Sequence, residues 1–180
     1  MMKKLTYLSL MACVLSASSI VEASCKYESI QPNTAPDQFY DNRDGTVLDV
    51  RTGLTWSLCL YGQAYEASNN SCTGSPTAVT DWSEALNAQD DFNHGDVTDW
   101  RLPNIKELAT LVEYACFDPA IRTEVFPETP SSPFWTNTPD AEDIDPAPLA
   151  LGRYIDFYDG SEFNDNPAVS RFIRFVRTAE

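Results

Sequence analysis

Asp99-Trp100-Arg101-Leu102-Pro103-Asn104-Ile105-Lys106-Glu107-Leu108 is the stretch around which the rest of the chain is organised. It predicts an extended lead-in that turns into a helix running on to Ala115. Pro103 disfavours helical backbone at Leu102, so the helix starts after it. Asn104 is a good N-cap, and Glu107 three residues later can close a capping box. Ile105, Leu108, Leu111 and Val112 recur at helical spacing and define one buried face. Trp100 and Arg101, just ahead of the cap, are placed to tie the helix to the body of the domain.

Downstream, Asp118-Pro119-Ala120-Ile121 reads as a single turn and Phe134-Trp135-Thr136-Asn137 as a strand. Pro139 to Pro148 is an acidic loop. A strand over Arg153–Tyr158 ends at Asp159-Gly160, and Ser170–Arg177, apolar on both faces, suits a central strand. Upstream, Asp90 to Asp96 is a polar connection carrying the only histidine, His94, expected to be solvated. Asp81 caps a second helix, with Glu84 at the capping-box position and Trp82, Ala85 and Leu86 inward. Tyr61 to Thr80 reads as a long loop. Phe39–Asn42, Thr46–Val50 and Leu54–Leu58 form a meander punctuated by Asp44-Gly45 and Thr52-Gly53. The mixture is α+β.

The chain opens with Met1-Met2-Lys3-Lys4 and an apolar run to Val21, and Val21-Glu22-Ala23 fits a signal-peptidase site. Residues 1–23 are therefore expected to be a signal peptide, 24–37 a lead-in and 38–178 the domain. A lipoprotein signal at Leu10-Met11-Ala12-Cys13 and an uncleaved anchor are the competing readings. No later stretch is apolar enough to span a bilayer. Losing Lys3, Lys4 and Glu22 takes the net charge from −15 to −16. So acidic a chain excludes nucleic acid as a partner, because the signs match. The expected location is the periplasm or the cell surface.

Four cysteines remain, an even count that favours disulfides in an exported protein. Cys59 and Cys72 enclose a short loop and are expected to pair, leaving Cys25 to reach Cys116. One histidine and four oxidised cysteines make no usual zinc site. Asp41-Asn42-Arg43-Asp44-Gly45 is a turn, since Tyr40 and Arg51 stand where an EF-hand needs acids. Weak calcium candidates are the loop acids Asp140, Glu142, Asp143 and Asp145 and the later Asp156, Asp159, Glu162 and Asp165; no cofactor is otherwise expected. Among the aromatics beside loops, Tyr65 and Tyr158, with Asp159, are the candidate ligand contacts. Tyr154 and Phe157 read as packing.

In order along the chain stand Asp41-Asn42-Arg43-Asp44-Gly45-Thr46-Val47, Thr52-Gly53-Leu54-Thr55-Trp56, Cys59…Gly62-Gln63…Cys72-Thr73-Gly74, Trp82…Ala85-Leu86, Asp99-Trp100-Arg101-Leu102-Pro103…Lys106-Glu107-Leu108, Asp118-Pro119-Ala120-Ile121, Phe134-Trp135-Thr136 and Phe175-Val176-Arg177. Together they resemble the Lcl C-terminal domain family, named after a bacterial collagen-like adhesin. Arg101-Leu102-Pro103 and Phe172-Ile173-Arg174-Phe175-Val176-Arg177 are also similar to motifs of formylglycine-generating and sulfatase-modifying domains. The resemblance implies a C-type-lectin-like fold. It makes Trp100, Arg101, Leu102, Pro103 and Arg174 scaffold, with the two arginines hydrogen bonding loop carbonyls.

The adhesin resemblance implies a binding module at the cell envelope, with a glycan or a protein as ligand. Sulfated glycans, associated with the adhesin's domain, would repel this chain unless Arg122, Arg171, Arg174 and Arg177 gathered into one patch. The alternatives are an enzyme, formylglycine-generating or carboxylate-based, and a calcium-stabilised envelope protein. The first would need a redox-active cysteine pair that this pattern does not offer. A non-catalytic binder is the expectation.

Overall fold

Asn104 begins the organising helix as its sequence predicts. The computed structural model describes residues 23–178 except 93, 95, 96, 98, 141–151, 166 and 167. The predicted signal segment up to residue 22, Glu142, Asp143, Asp145 and the side chain of Asp165 lie outside the described residues. The Asn104 side chain accepts the Glu107 N–H at 2.9 Å, and the Glu107 carboxylate accepts the Asn104 N–H at 2.8 Å. This closes the capping box of helix α2 (Ile105–Ala109). The helix does not run to Ala115. Leu111 and Val112 donate to Leu108 and Ala109, three residues back, and Val112 then bridges Ile121. The apolar spacing is met by a tightening turn, so Leu108, Leu111 and Val112 are all fully buried.

The strands are short and antiparallel. Strands β2 (Phe39–Asp41), β3 (Thr46–Asp49), β4 (Leu54–Ser57) and β11 (Val176–Thr178) make one sheet in the order β11-β4-β3-β2. Strands β8 (Pro133–Pro139), β9 (Gly152–Asp156) and β10 (Ser161–Asp165) make another, β10-β9-β8. Two small pairs complete the set: β1 (Ser24–Cys25) with β7 (Cys116–Phe117), and β5 (Ala64–Glu66) with β6 (Ser71–Thr73). Helix α1 (Trp82–Asn87) runs into a 3-10 turn at Ala88–Asp90. The architecture is α+β. Among the described residues no helix is long and apolar enough to cross a membrane.

Several expectations change. The Tyr61–Thr80 loop holds the β5–β6 hairpin, and Ser161–Asp165, which carries the calcium candidates Glu162 and Asp165, is a strand. Glu84 accepts from the N–H and hydroxyl of Thr80 instead of reaching Asp81, although Asp81 does cap the helix. The Ser170–Arg177 run is no single strand. Arg171 exchanges backbone bonds with Val79, Phe172 pairs with Pro133 and Trp135, Phe175 accepts from Ser57, and Val176 exchanges bonds with Arg101. This seam is buried on both faces because it stitches separate elements together, with Ile173, Arg174, Phe175 and Val176 fully enclosed.

Two disulfides fix the ends of this framework. Cys25–Cys116 ties β1 to β7, and Cys59–Cys72 clamps the base of the β5–β6 hairpin. Arg174 donates to the carbonyls of Ser57 at 2.6 Å and Leu58 at 2.8 Å and to the Thr129 hydroxyl at 2.9 Å. Burial pushes its guanidinium down to about 9, so it stays charged at neutral pH. The face of Phe126, 4.8 Å away, adds a cation–π contact. Arg101 differs from the carbonyl-bonding expectation: it grips the Glu107 carboxylate with two bonds of 2.7 Å. The capping glutamate offers a charged acceptor at bidentate geometry, which a guanidinium prefers to a neutral carbonyl.

Candidate binding groove

The Asp44-Gly45 turn sets one end of a groove. Gly45 has φ +85°, and a Cβ there would collide with the rings of His94 and Tyr65. The turn thus lets two rings lie on bare backbone. His94 Nε2 lies 2.7 Å from the Asp44 carbonyl, which can only accept, so Nε2 carries the proton. The histidine is therefore not simply solvated: it is half-buried, edge-on to Tyr65 at 5.6 Å and to Trp100 at 6.1 Å. The Tyr65 hydroxyl donates to Asn70, whose amide donates to Asp41. Burial, then the carboxylates of Asp41 and Asp44, push the phenol up.

Phe175, fully buried, supports two further rings from behind. Phe92 stacks on it at 4.2 Å, and Tyr61 meets it edge-on at 6.2 Å. The disulfide-clamped hairpin supplies the facing wall. Gln63 holds that wall in shape, accepting from Leu60 N–H at 3.0 Å and donating to the Gly74 carbonyl and the Glu128 carboxylate. Tyr61, Gly62, Gln63, Ala64, Thr73, Gly74, Thr77, Asp91 and Phe92 line an open groove of about 630 Å³. Asp44, Cys59, Gln63, Ala64, Tyr65, Phe92 and His94 line an adjoining space of about 330 Å³. Among the described residues no lysine or arginine lines either compartment. The carboxylate of Asp91 and the hydroxyls of Tyr61 and Thr77 have no hydrogen bond among the described residues.

The segments around this groove are those whose order along the chain is distinctive: Asp44-Gly45, Cys59 to Gln63, Cys72-Thr73-Gly74, Trp100 and Phe175. The Lcl C-terminal domain model matches residues 45–177. The chain belongs to the Lcl C-terminal domain family. No curated protein and no solved structure matches it.

Within this Lcl C-terminal domain, Tyr65 lies in the groove, whereas Tyr158 and Asp159 line neither compartment. They occupy the β9–β10 turn, where Asp156 accepts from Tyr158 N–H and Asp159 from Ser161 N–H, each at 2.9 Å. The bonds from Ser161 hold the Asp159 carboxyl below its ordinary range. Among the described residues no group of three or more His, Cys, Asp or Glu is arranged to hold a metal. Tyr154 and Phe157 pack, the first against Trp135, Phe163 and Arg171 and the second in the core.

The arginines of the Lcl C-terminal domain do not gather. Arg122 bonds Thr34 and Glu124, Arg171 lies between Trp135 and Tyr154, Arg174 is enclosed, and Arg177 faces Asp99 at 3.6 Å. Sequence reasoning missed Asp91, Phe92 and His94 as groove residues. The available signal was two aromatic rings, Phe92 and His94, in an otherwise polar connection, which solvation alone does not require.

Proposed function

We propose that this chain is an exported, non-catalytic binding module with a C-type-lectin-like fold, and that its groove takes a neutral glycan. The carrying observation is the pairing of the Tyr61 and Phe92 rings over the buried Phe175 with the unpartnered Asp91 carboxylate, in a groove that no lysine or arginine lines among the described residues. Aromatic rings pack against the C–H face of a sugar, and a carboxylate accepts from its hydroxyls. A sulfated chain would meet like charge, that of Asp91 and Asp44, the charged residues among the lining. The paired cysteines fit an oxidising compartment, and the Met1–Ala23 segment fits export. Formylglycine-type chemistry finds no support, since Cys25 is bonded to Cys116 and Cys59 to Cys72.

The test is a glycan and matrix-protein array probed with the disulfide-intact domain at physiological salt, with calcium and again with chelator. Neutral glycans are expected to bind, insensitive to salt, and Asp91→Asn to weaken them. Preferential, salt-sensitive capture by heparin, or silence across all neutral glycans, overturns the reading.

A further inference from the structure

Resting on that neutral-glycan reading, we infer that the groove reads a chain of at least two sugar units, the second lying in the compartment between Tyr65 and His94. The two spaces, about 630 and 330 Å³, share Gln63, Ala64 and Phe92 in their linings, so they are immediate neighbours along one surface and a unit in one has its linked neighbour beside the other. Each falls within the range of small-molecule sites, about 300–1,000 Å³. Their chemistry differs. The larger offers the Tyr61 and Phe92 rings and the free Asp91 carboxylate. The smaller offers Tyr65 and His94, inclined at 70° to each other.

Asp44 decides what His94 can do. Its carbonyl takes the Nε2 proton, leaving Nδ1 an acceptor in the neutral ring, and Nδ1 has no partner among the described residues. A hydroxyl of the second unit donates to it, while Tyr65 supplies an apolar face. The small compartment thereby adds affinity for the linked unit rather than for any single sugar.

The experiment titrates the untagged, disulfide-intact domain with cello-, malto- and chito-oligosaccharides of one to six units. Two units of a binding series are expected to bind about tenfold more tightly than one, the gain of one aromatic contact with its hydrogen bond. His94→Gln is expected to collapse that ratio, whereas Asp91→Asn lowers both affinities together and preserves it. His94 is the chain's one histidine. Its ring-proton signals in the unmodified protein are thus a second readout, free of any folding defect in the variant. They are expected to move with the two-unit ligand and not with the one-unit ligand. Equal affinity for one and two units, or His94 signals unmoved at saturation with two, overturns this inference and leaves the glycan reading standing. Binding of tetralysine in preference to every oligosaccharide, or no oligosaccharide binding at all, overturns both.

Discussion

The Glu113 carboxylate accepts from both the backbone N–H and the hydroxyl of Thr34, 79 positions earlier in the chain. Asn33 and Ala115 add N–H donors to the same group. Burial alone would raise this carboxyl, but these bonds outweigh it and leave it below its ordinary value of 4.5. A depressed carboxylate contributes stability that is full above that value and is lost as the pH falls through the folded one. The N-terminal lead-in is therefore expected to loosen in acid, below about pH 4.5. Glu113→Gln should cost about 2–4 kcal/mol at pH 7 and flatten the acid dependence. Urea midpoints at pH 7, 4 and 3 check both; a variant as acid-sensitive as the parent would contradict the assignment.

Arg174 joins Ser57, Leu58 and Thr129 from inside the seam, with no carboxylate paired to it among the described residues. Arg174→Ala leaves two buried carbonyls and a hydroxyl without their donor, an expected loss of about 3–5 kcal/mol. Arg174→Lys keeps the charge but cannot span three acceptors from one nitrogen, so its stability should fall between the two. Thermal melts of the three proteins test the order. A lysine variant as stable as the parent would mean that charge alone, rather than the planar fork, is what the seam requires.

Local chemistry made part of this legible. The Asn104–Glu107 box lies within four residues, and the Cys59–Cys72 pair within a short loop, so neither needs distant information. The hairpin of Ala64–Glu66 with Ser71–Thr73 escaped because three-residue strands carry too little alternation to register. The seam from Arg171 to Val176 escaped because its backbone partners come from Val79, Pro133, Ser57 and Arg101, far apart in sequence. His94 escaped for the same reason: the carbonyl that fixes it lies 50 positions earlier.

The Cys59–Cys72 bond holds the hairpin that forms one wall of the groove. Replacing both cysteines with alanine is expected to cost about 3 kcal/mol, the loop-closure contribution for a ring of this size. The loss should be local. Amide exchange is expected to rise across residues 61–77 while the β3–β4 amides stay protected, and oligosaccharide affinity should fall. Uniform loss of protection throughout would show that the hairpin is integral to the core rather than a clamped appendage.

Gly45 and Gly53 offer a matched comparison. Both have left-handed backbone, φ +85° and +70°, but a Cβ at Gly53 meets nothing within 4 Å, whereas at Gly45 it meets the His94 and Tyr65 rings. Gly53→Ala should therefore carry only the backbone strain of an L-residue in that region, about 1–2 kcal/mol. Gly45→Ala adds displacement of two rings, so its cost should exceed that of Gly53→Ala by at least about 1 kcal/mol. The same displacement separates His94 Nε2 from the Asp44 carbonyl, and the tautomer is then no longer fixed. Gly45→Ala is thus expected to reduce the affinity for two-unit ligands, while Gly53→Ala reduces stability alone. Equal melting temperatures for the two variants would mean that the rings move aside freely, and the turn would then have no part in shaping the groove.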